Sequence, residues 1–187
     1  GSSTGTISLD RQVYPVPFTT NELKEGDATN LSNFDNNTST GSTVQEPASE
    51  TNVDGTDVGK VQVTIAVTDP DETGTTLTGQ VVTIKLITSG TTGTLGTAGA
   101  ALAGTTAAGN ACNDAVAGCE YGPLTEVEQG SNVYEITIAL EETMHMTDST
   151  SGTNVTHQIL GGGTVIQVTY ADPNGDNGLA TSVYDSS

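Results

Sequence analysis

The sequence predicts an all-β protein, an Ig-like antiparallel β-sandwich with long polar loops. Apolar and polar residues alternate over runs of strand length, the pattern of a sheet with one buried and one solvated face. No segment combines apolar residues at helical spacing with capping residues at its ends. The 187 residues are 33% hydrophobic and include no tryptophan. They can therefore fill one sandwich core of Val, Ile, Leu and a few Tyr.

The first run of alternation is the segment TISLDRQV near the start of the chain. We expect Ile7, Leu9 and, at its end, Val13 to share the inner face. Pro15 and Pro17 follow directly, and proline has no N–H to donate to a ladder. The segment is therefore predicted to be an edge strand that leaves its sheet.

Four stronger runs follow, at residues 59–68, 81–88, 132–142 and 164–171. Each ends in turn-forming residues, which is typical of the strands of an antiparallel sandwich. Their inward positions form the predicted core: Val61, Val63, Ile65, Val67, Ile84, Leu86, Ile136, Ile138, Ile166 and Val168.

The chain is predicted to be one domain over residues 1–187. Residues 19–57 are polar and form a long loop or insertion in this prediction. Residues 90–120 are predicted to be a low-complexity loop that carries a disulfide. Its Gly/Ala/Thr stretch over 90–109 is expected to form at most a loose hairpin that buries little.

Cys112 and Cys119 are the chain's two cysteines. No further Cys or His lies at zinc-ligand spacing. We therefore expect a disulfide across a surface loop rather than a metal site. Such a bond persists in an oxidising compartment, so we expect the protein to lie outside the cytosol.

Sequons for N-glycosylation agree with an extracellular, cell-surface location. In a chain this rich in Thr and Ser, several would also arise by chance. The candidate acceptors are Asn30, Asn36, Asn37 and Asn154.

The charge is strongly unbalanced, with 4 Lys and Arg against 23 Asp and Glu and a net charge of −19. Such a surface attracts cations and repels nucleic acid and anionic lipid headgroups. No run of 18 apolar residues is present, so we expect no direct membrane insertion.

Catalysis has little support in the sequence. His145 and His157 are expected in a polar stretch between strands, without a nucleophile and an orienting group beside them. Glu141 and Glu142 are neighbours in a strand, so they point to opposite faces and form no dyad. We therefore predict that the protein is not an enzyme.

Two Asp-Pro loops that follow strands are candidate divalent sites. Asp172, Asn174 and Asp176 place oxygen ligands at alternate positions of a Gly-containing turn, a spacing that suits Ca²⁺. Asp69 and Asp71 form a second candidate. The alternative is that Asp, Asn, Pro and Gly simply make turns here.

Five segments, taken together and in order, resemble the S-layer (cell-surface lattice) proteins of ammonia-oxidising archaea. They are GTISLDRQVYPVPF from Gly5, VTDPD ending at Asp71, GPLTE from Gly122, YEITI from Tyr134 and GTVIQVTYADP from Gly163. The resemblance implies an outer-surface coat of acidic Ig-like domains, stabilised by divalent cations. The expected partners are copies of the chain, or neighbouring domains of the same coat.

Such coat proteins have many domains, so the chain is expected to be one domain of a longer protein or a short surface subunit. Two alternatives use the same fold. One is a surface adhesin. The other is a filament or pilus subunit that assembles by exchanging its N-terminal strand.

Overall fold

The computed structural model describes residues 5–17, 44–45, 61–79, 81–88, 91–99, 119–140, 143–148, 155–173, 175 and 177–185. Every regular element in this part of the chain is a β-strand. In chain order the strands are β1 Thr6–Leu9, β2 Val13–Pro15, β3 Val44–Gln45, β4 Val61–Thr68, β5 Thr76–Leu77, β6 Val82–Thr88, β7 Thr91–Ala98, β8 Cys119–Tyr121, β9 Leu124–Glu126, β10 Val133–Leu140, β11 Thr143–Asp148, β12 Val155–Ile159, β13 Val165–Tyr170 and β14 Gly178–Asp185.

The strands form two sheets. The first has the order β1-β4-β10-β9-β5, with β3 beside β10; the second has the order β12-β11-β7-β6-β13-β14-β2, with β8 beside β7. Neighbours are antiparallel, except for the β2–β14, β3–β10 and β7–β8 pairs. The sets β1-β4-β10-β9 and β7-β6-β13-β14 reproduce the ABED and C′CFG orders of an Ig-like sandwich. The predicted fold class is confirmed.

The core lies between the two sheets. All of the predicted core residues are buried, because the period-2 alternation of each strand turns one row of aliphatic side chains inward. The core also takes in all five tyrosines of the chain, each fully buried. Among the described residues, tyrosine therefore supplies the large aromatic side chains of the core.

The first segment differs from the prediction of one continuous strand. It forms two strands on different sheets: β1 pairs with β4, and β2 pairs in parallel with β14. Asp10 stabilises the point where the chain crosses from one sheet to the other. Its Oδ1 accepts hydrogen bonds from the Thr64 N–H at 3.0 Å and the Tyr14 hydroxyl at 2.5 Å. The crossing leaves Val13 53% exposed, so its predicted inward position was wrong. Both strands do lie at sheet edges.

The low-complexity segment also differs from its prediction. Residues 91–98 form β7, which pairs with β6 along its length around one bulge after Ile84. Leu95 and Ala98 are buried there, so the segment contributes to the core. Of the predicted polar loop at 19–57, the structure describes Val44–Gln45, which form β3.

Candidate functional site

The two Asp-Pro loops meet at one end of the sandwich. β4 ends at Thr68, opposite Thr6 at the start of β1, and β13 ends at Tyr170, opposite Gly178. A Cβ on Gly178 would touch Ile7 of β1, and the N–H of Gly5 donates to Asp172, so the residues that follow both strands lie beside the start of β1. We call this region the acidic end, and define it by Asp69, Asp71, Glu72 and Asp172.

Asp69 is fully buried and joins the two sheets. Its Oδ2 accepts a hydrogen bond from the Tyr170 hydroxyl at 2.7 Å, and its Oδ1 accepts one from the Asp71 N–H at 3.0 Å. The second bond closes the turn after β4, as Asp side chains commonly do. Asp69 is thus a structural carboxylate as well as a predicted ligand.

Asp172 is 7% exposed, and its Oδ2 accepts a hydrogen bond from the Gly5 N–H at 2.6 Å. Position 5 is occupied by glycine for a steric reason. A Cβ there would lie 2.5 Å from the Tyr170 Cε2 and 3.0 Å from the Asp172 Oδ2. The start of the chain's first strand is therefore fitted closely onto the acidic end.

The carboxylates of the acidic end repel one another. The pKa of Glu72 is raised by burial first and then by the charges of Asp69, Asp172 and Asp71, in that order. Burial, and next the hydrogen bond to Asp69, also raise the pKa of Tyr170 above its usual range. Protonation of Glu72, or a bound cation, would relieve this repulsion.

The calcium prediction depends on residues beyond this cluster. Among the described residues, no group of three or more His, Cys, Asp or Glu is placed to hold a metal ion. Asn174 and Asp176 lie outside the described residues. Asp69 and Asp172 supply hard oxygen atoms of the kind that Ca²⁺ takes. A complete site at this end would need further oxygens from the 172–176 loop.

Sequence reasoning named Asp69, Asp71 and Asp172 as candidate ligands but did not assign a role in the site to Gly5, Glu72 or Tyr170. The available signal was Tyr170 itself, which stands two residues before Asp172 on an inward position. A buried tyrosine hydroxyl usually has a hydrogen-bond partner, and a carboxylate at the end of the facing strand can provide one.

Several other predicted sites lie outside the described residues. These are Cys112 and the sequon residues Asn30, Asn36, Asn37 and Asn154. Cys119 is described as the first residue of β8. The disulfide and the glycosylation therefore stay predictions.

The sequence predicted that the two histidines lie in a polar stretch between strands, and this prediction was wrong. His145 lies in β11 and His157 in β12, and the register pairs them directly opposite each other. Both strands are polar in composition, so they were not recognised as strands from the sequence.

Comparison of the chain with known proteins assigns it to no family. No protein-family model matches the chain, and no curated protein matches its sequence. The described residues contain no helix that is both long and apolar enough to cross a membrane.

Proposed function

We propose that this protein is a structural domain of an extracellular surface coat, similar to an S-layer, which binds cations between its copies. The observation that carries the proposal is the acidic end. Burial and three neighbouring carboxylates raise the pKa of Glu72 there. A second copy docked against this end would bring in more negative charge, so close contact there requires a cation.

The path of the chain supports an end-to-end arrangement. Gly5 lies at the acidic end, beside Asp172. Asp185, the last described residue, lies at the opposite end, where β14 pairs with Pro15 of β2. The polypeptide thus enters the sandwich at one end and leaves it at the other, as the domains of a linear coat protein require.

The overall charge supports a role for divalent ions rather than for salt alone. At a net charge of −19, copies of the chain repel one another. Salt screens exposed charges over about 10 Å at 0.1 M. An ion held by carboxylate oxygens at the contact neutralises them directly, and Ca²⁺ accepts six to eight oxygens in flexible geometry.

The test is the assembly state of the protein, measured by light scattering and electron microscopy. We expect association to rise in millimolar CaCl₂ beyond its level in NaCl of equal ionic strength. MgCl₂ should act more weakly, because Mg²⁺ keeps its water and demands an octahedron. Glu72→Gln should change the extent of association that CaCl₂ induces. Glu135→Gln, on the outer face of β10, should leave that association unchanged. An identical response to CaCl₂ and NaCl would contradict the proposal.

Strand exchange is the second candidate, favoured by the position of β1. This strand has four residues and lies at the edge of its sheet, next to β4. A filament built by exchange of β1 would persist in EDTA and would require residues 6–9. The same scattering experiment, repeated in EDTA and with those residues deleted, separates the two candidates.

A further inference from the structure

The register of one strand pair brings together the two histidines of the chain. The sequence holds two histidines in 187 residues, twelve positions apart. In the antiparallel β11–β12 pair, His145 is the direct partner of His157.

Directly opposite residues in an antiparallel pair share one face of the sheet, with Cβ atoms about 4.5–5.5 Å apart. A metal–imidazole nitrogen bond is about 2.0–2.1 Å long. One ion between two imidazoles is therefore compatible with this backbone spacing. A shift of one residue in register would place the histidines on opposite faces.

We propose that His145 and His157 form a two-imidazole site for a divalent transition-metal ion. Imidazole suits Cu²⁺, Zn²⁺ and Ni²⁺, whereas Ca²⁺ and Mg²⁺ prefer oxygen ligands. The proposed site thus differs in chemistry from the acidic end. The net charge of −19 raises the local concentration of cations near the chain.

Because of where the histidine pair lies, a bound ion would affect the stability of one edge of the second sheet. β12 is the last strand of the second sheet, and β11 is its neighbour. An ion held by one histidine from each strand would fasten the edge strand to the rest of the sheet. Metal binding should therefore stabilise the β11–β12 pair.

The test uses the full chain and CuCl₂ as the probe, with binding measured by calorimetry and nitrogen ligation by electron paramagnetic resonance. Among divalent first-row ions, Cu²⁺ binds such sites most tightly. We expect His145→Gln and His157→Gln each to weaken binding by about tenfold or more, since even the loss of a group that only orients a ligand costs about 10–100-fold. Circular dichroism checks that each variant is folded.

Two further variants test the register itself. In the His157→Gln background, Thr156→His keeps two histidines but places them on opposite faces, and it should not restore binding. Thr147 and Val155 are also direct partners. Thr147→His with Val155→His, in a chain carrying His145→Gln and His157→Gln, should therefore restore binding.

Wild-type Cu²⁺ affinity in folded single variants would overturn the proposal, because the ion would then be held elsewhere. Failure of the Thr147→His, Val155→His pair to restore binding would also count against it. Glu72→Gln should leave Cu²⁺ binding unchanged, so this result is independent of the assembly experiment.

Discussion

At the scale of single residues, Asp69 is the most consequential side chain of the acidic end. It is fully buried, yet both of its oxygens accept hydrogen bonds, one from the Tyr170 hydroxyl and one from the Asp71 N–H. A buried carboxylate is costly unless its oxygens are satisfied. Each hydrogen bond therefore lowers the cost of burying this carboxylate.

We expect Tyr170→Phe to lower the free energy of unfolding by about 1.5–3 kcal/mol, the usual range for a hydrogen bond to a charged group. Tyr134→Phe is the matched control, because the Tyr134 hydroxyl donates to a neutral carbonyl, that of Gly74, at 3.0 Å. That change should cost about 0.5–1.5 kcal/mol. Urea denaturation measures both values, and equal losses would contradict the special role of Asp69.

Glu72 predicts a pH dependence of stability. Its pKa in the folded protein is raised above the reference value of 4.5 by burial and by neighbouring carboxylates. A raised carboxyl pKa means that the charged form disfavours the folded state. The penalty is therefore absent below the unfolded-state pKa and complete above the folded-state pKa.

We expect Glu72→Gln to be more stable than the wild type at pH 7, with the difference shrinking as the pH falls towards 4.5 and absent well below it. Thermal unfolding in EDTA across this range measures the difference. Glu135→Gln is the control and should show no comparable gain. A Glu72→Gln variant less stable than the wild type at pH 7 would contradict the repulsion.

At the scale of elements, the start of β1 is fitted against the ends of β13 and β14. The Gly5 N–H donates to Asp172, and a Cβ on Gly178 would lie 3.2 Å from the Ile7 Cγ2. Two glycines therefore allow the edge of one sheet to approach the other closely.

We expect Gly5→Ala to destabilise the protein by about 1–3 kcal/mol, the usual cost of overpacking. The new Cβ would lie 2.5 Å from a ring carbon of Tyr170. Gly161→Ala is the control, because no atom lies within 4 Å of its added Cβ. It should stay within about 0.5 kcal/mol of the wild type. Similar melting temperatures for the two variants would contradict the close approach.

Strands that follow the alternation rule were predictable, and strands that break it were not. β4 has the regular sequence VQVTIAVT, and its buried positions alternate with more exposed ones. In β14 the usual polarity is reversed, because the apolar Leu179 is 60% exposed and the polar Ser182 is buried. Ser182 is accepted in the interior because its hydroxyl donates to the Arg11 carbonyl at the sheet crossing. Sequence alone gives no access to a partner 171 residues away.

The candidate site was predictable only in pieces. Each Asp-Pro loop can be recognised as a polar turn after a strand. Their meeting depends on β4 and β13 ending on the same side of the sandwich, which is a property of the topology. The same holds for His145 and His157, since their opposition follows from the register of two strands that composition does not reveal.

At the scale of the whole molecule, the parallel pairing of β2 with β14 predicts how the domain should bear tension. Pulling on the two ends of the chain drags these strands in opposite directions along their common axis. The hydrogen bonds of the ladder are then loaded together, in shear. Peeling apart an antiparallel hairpin instead breaks its bonds one after another.

We therefore expect a higher unfolding force in single-molecule pulling through residues 5 and 185 than through residues 162 and 185. The second geometry opens the β13–β14 hairpin from its paired end, where Val165 faces Val183. Equal forces would show that the β2–β14 ladder bears no load. A domain that resists lengthwise pulling in this way suits a surface layer, in which mechanical stress passes along the polypeptide from one unit to the next.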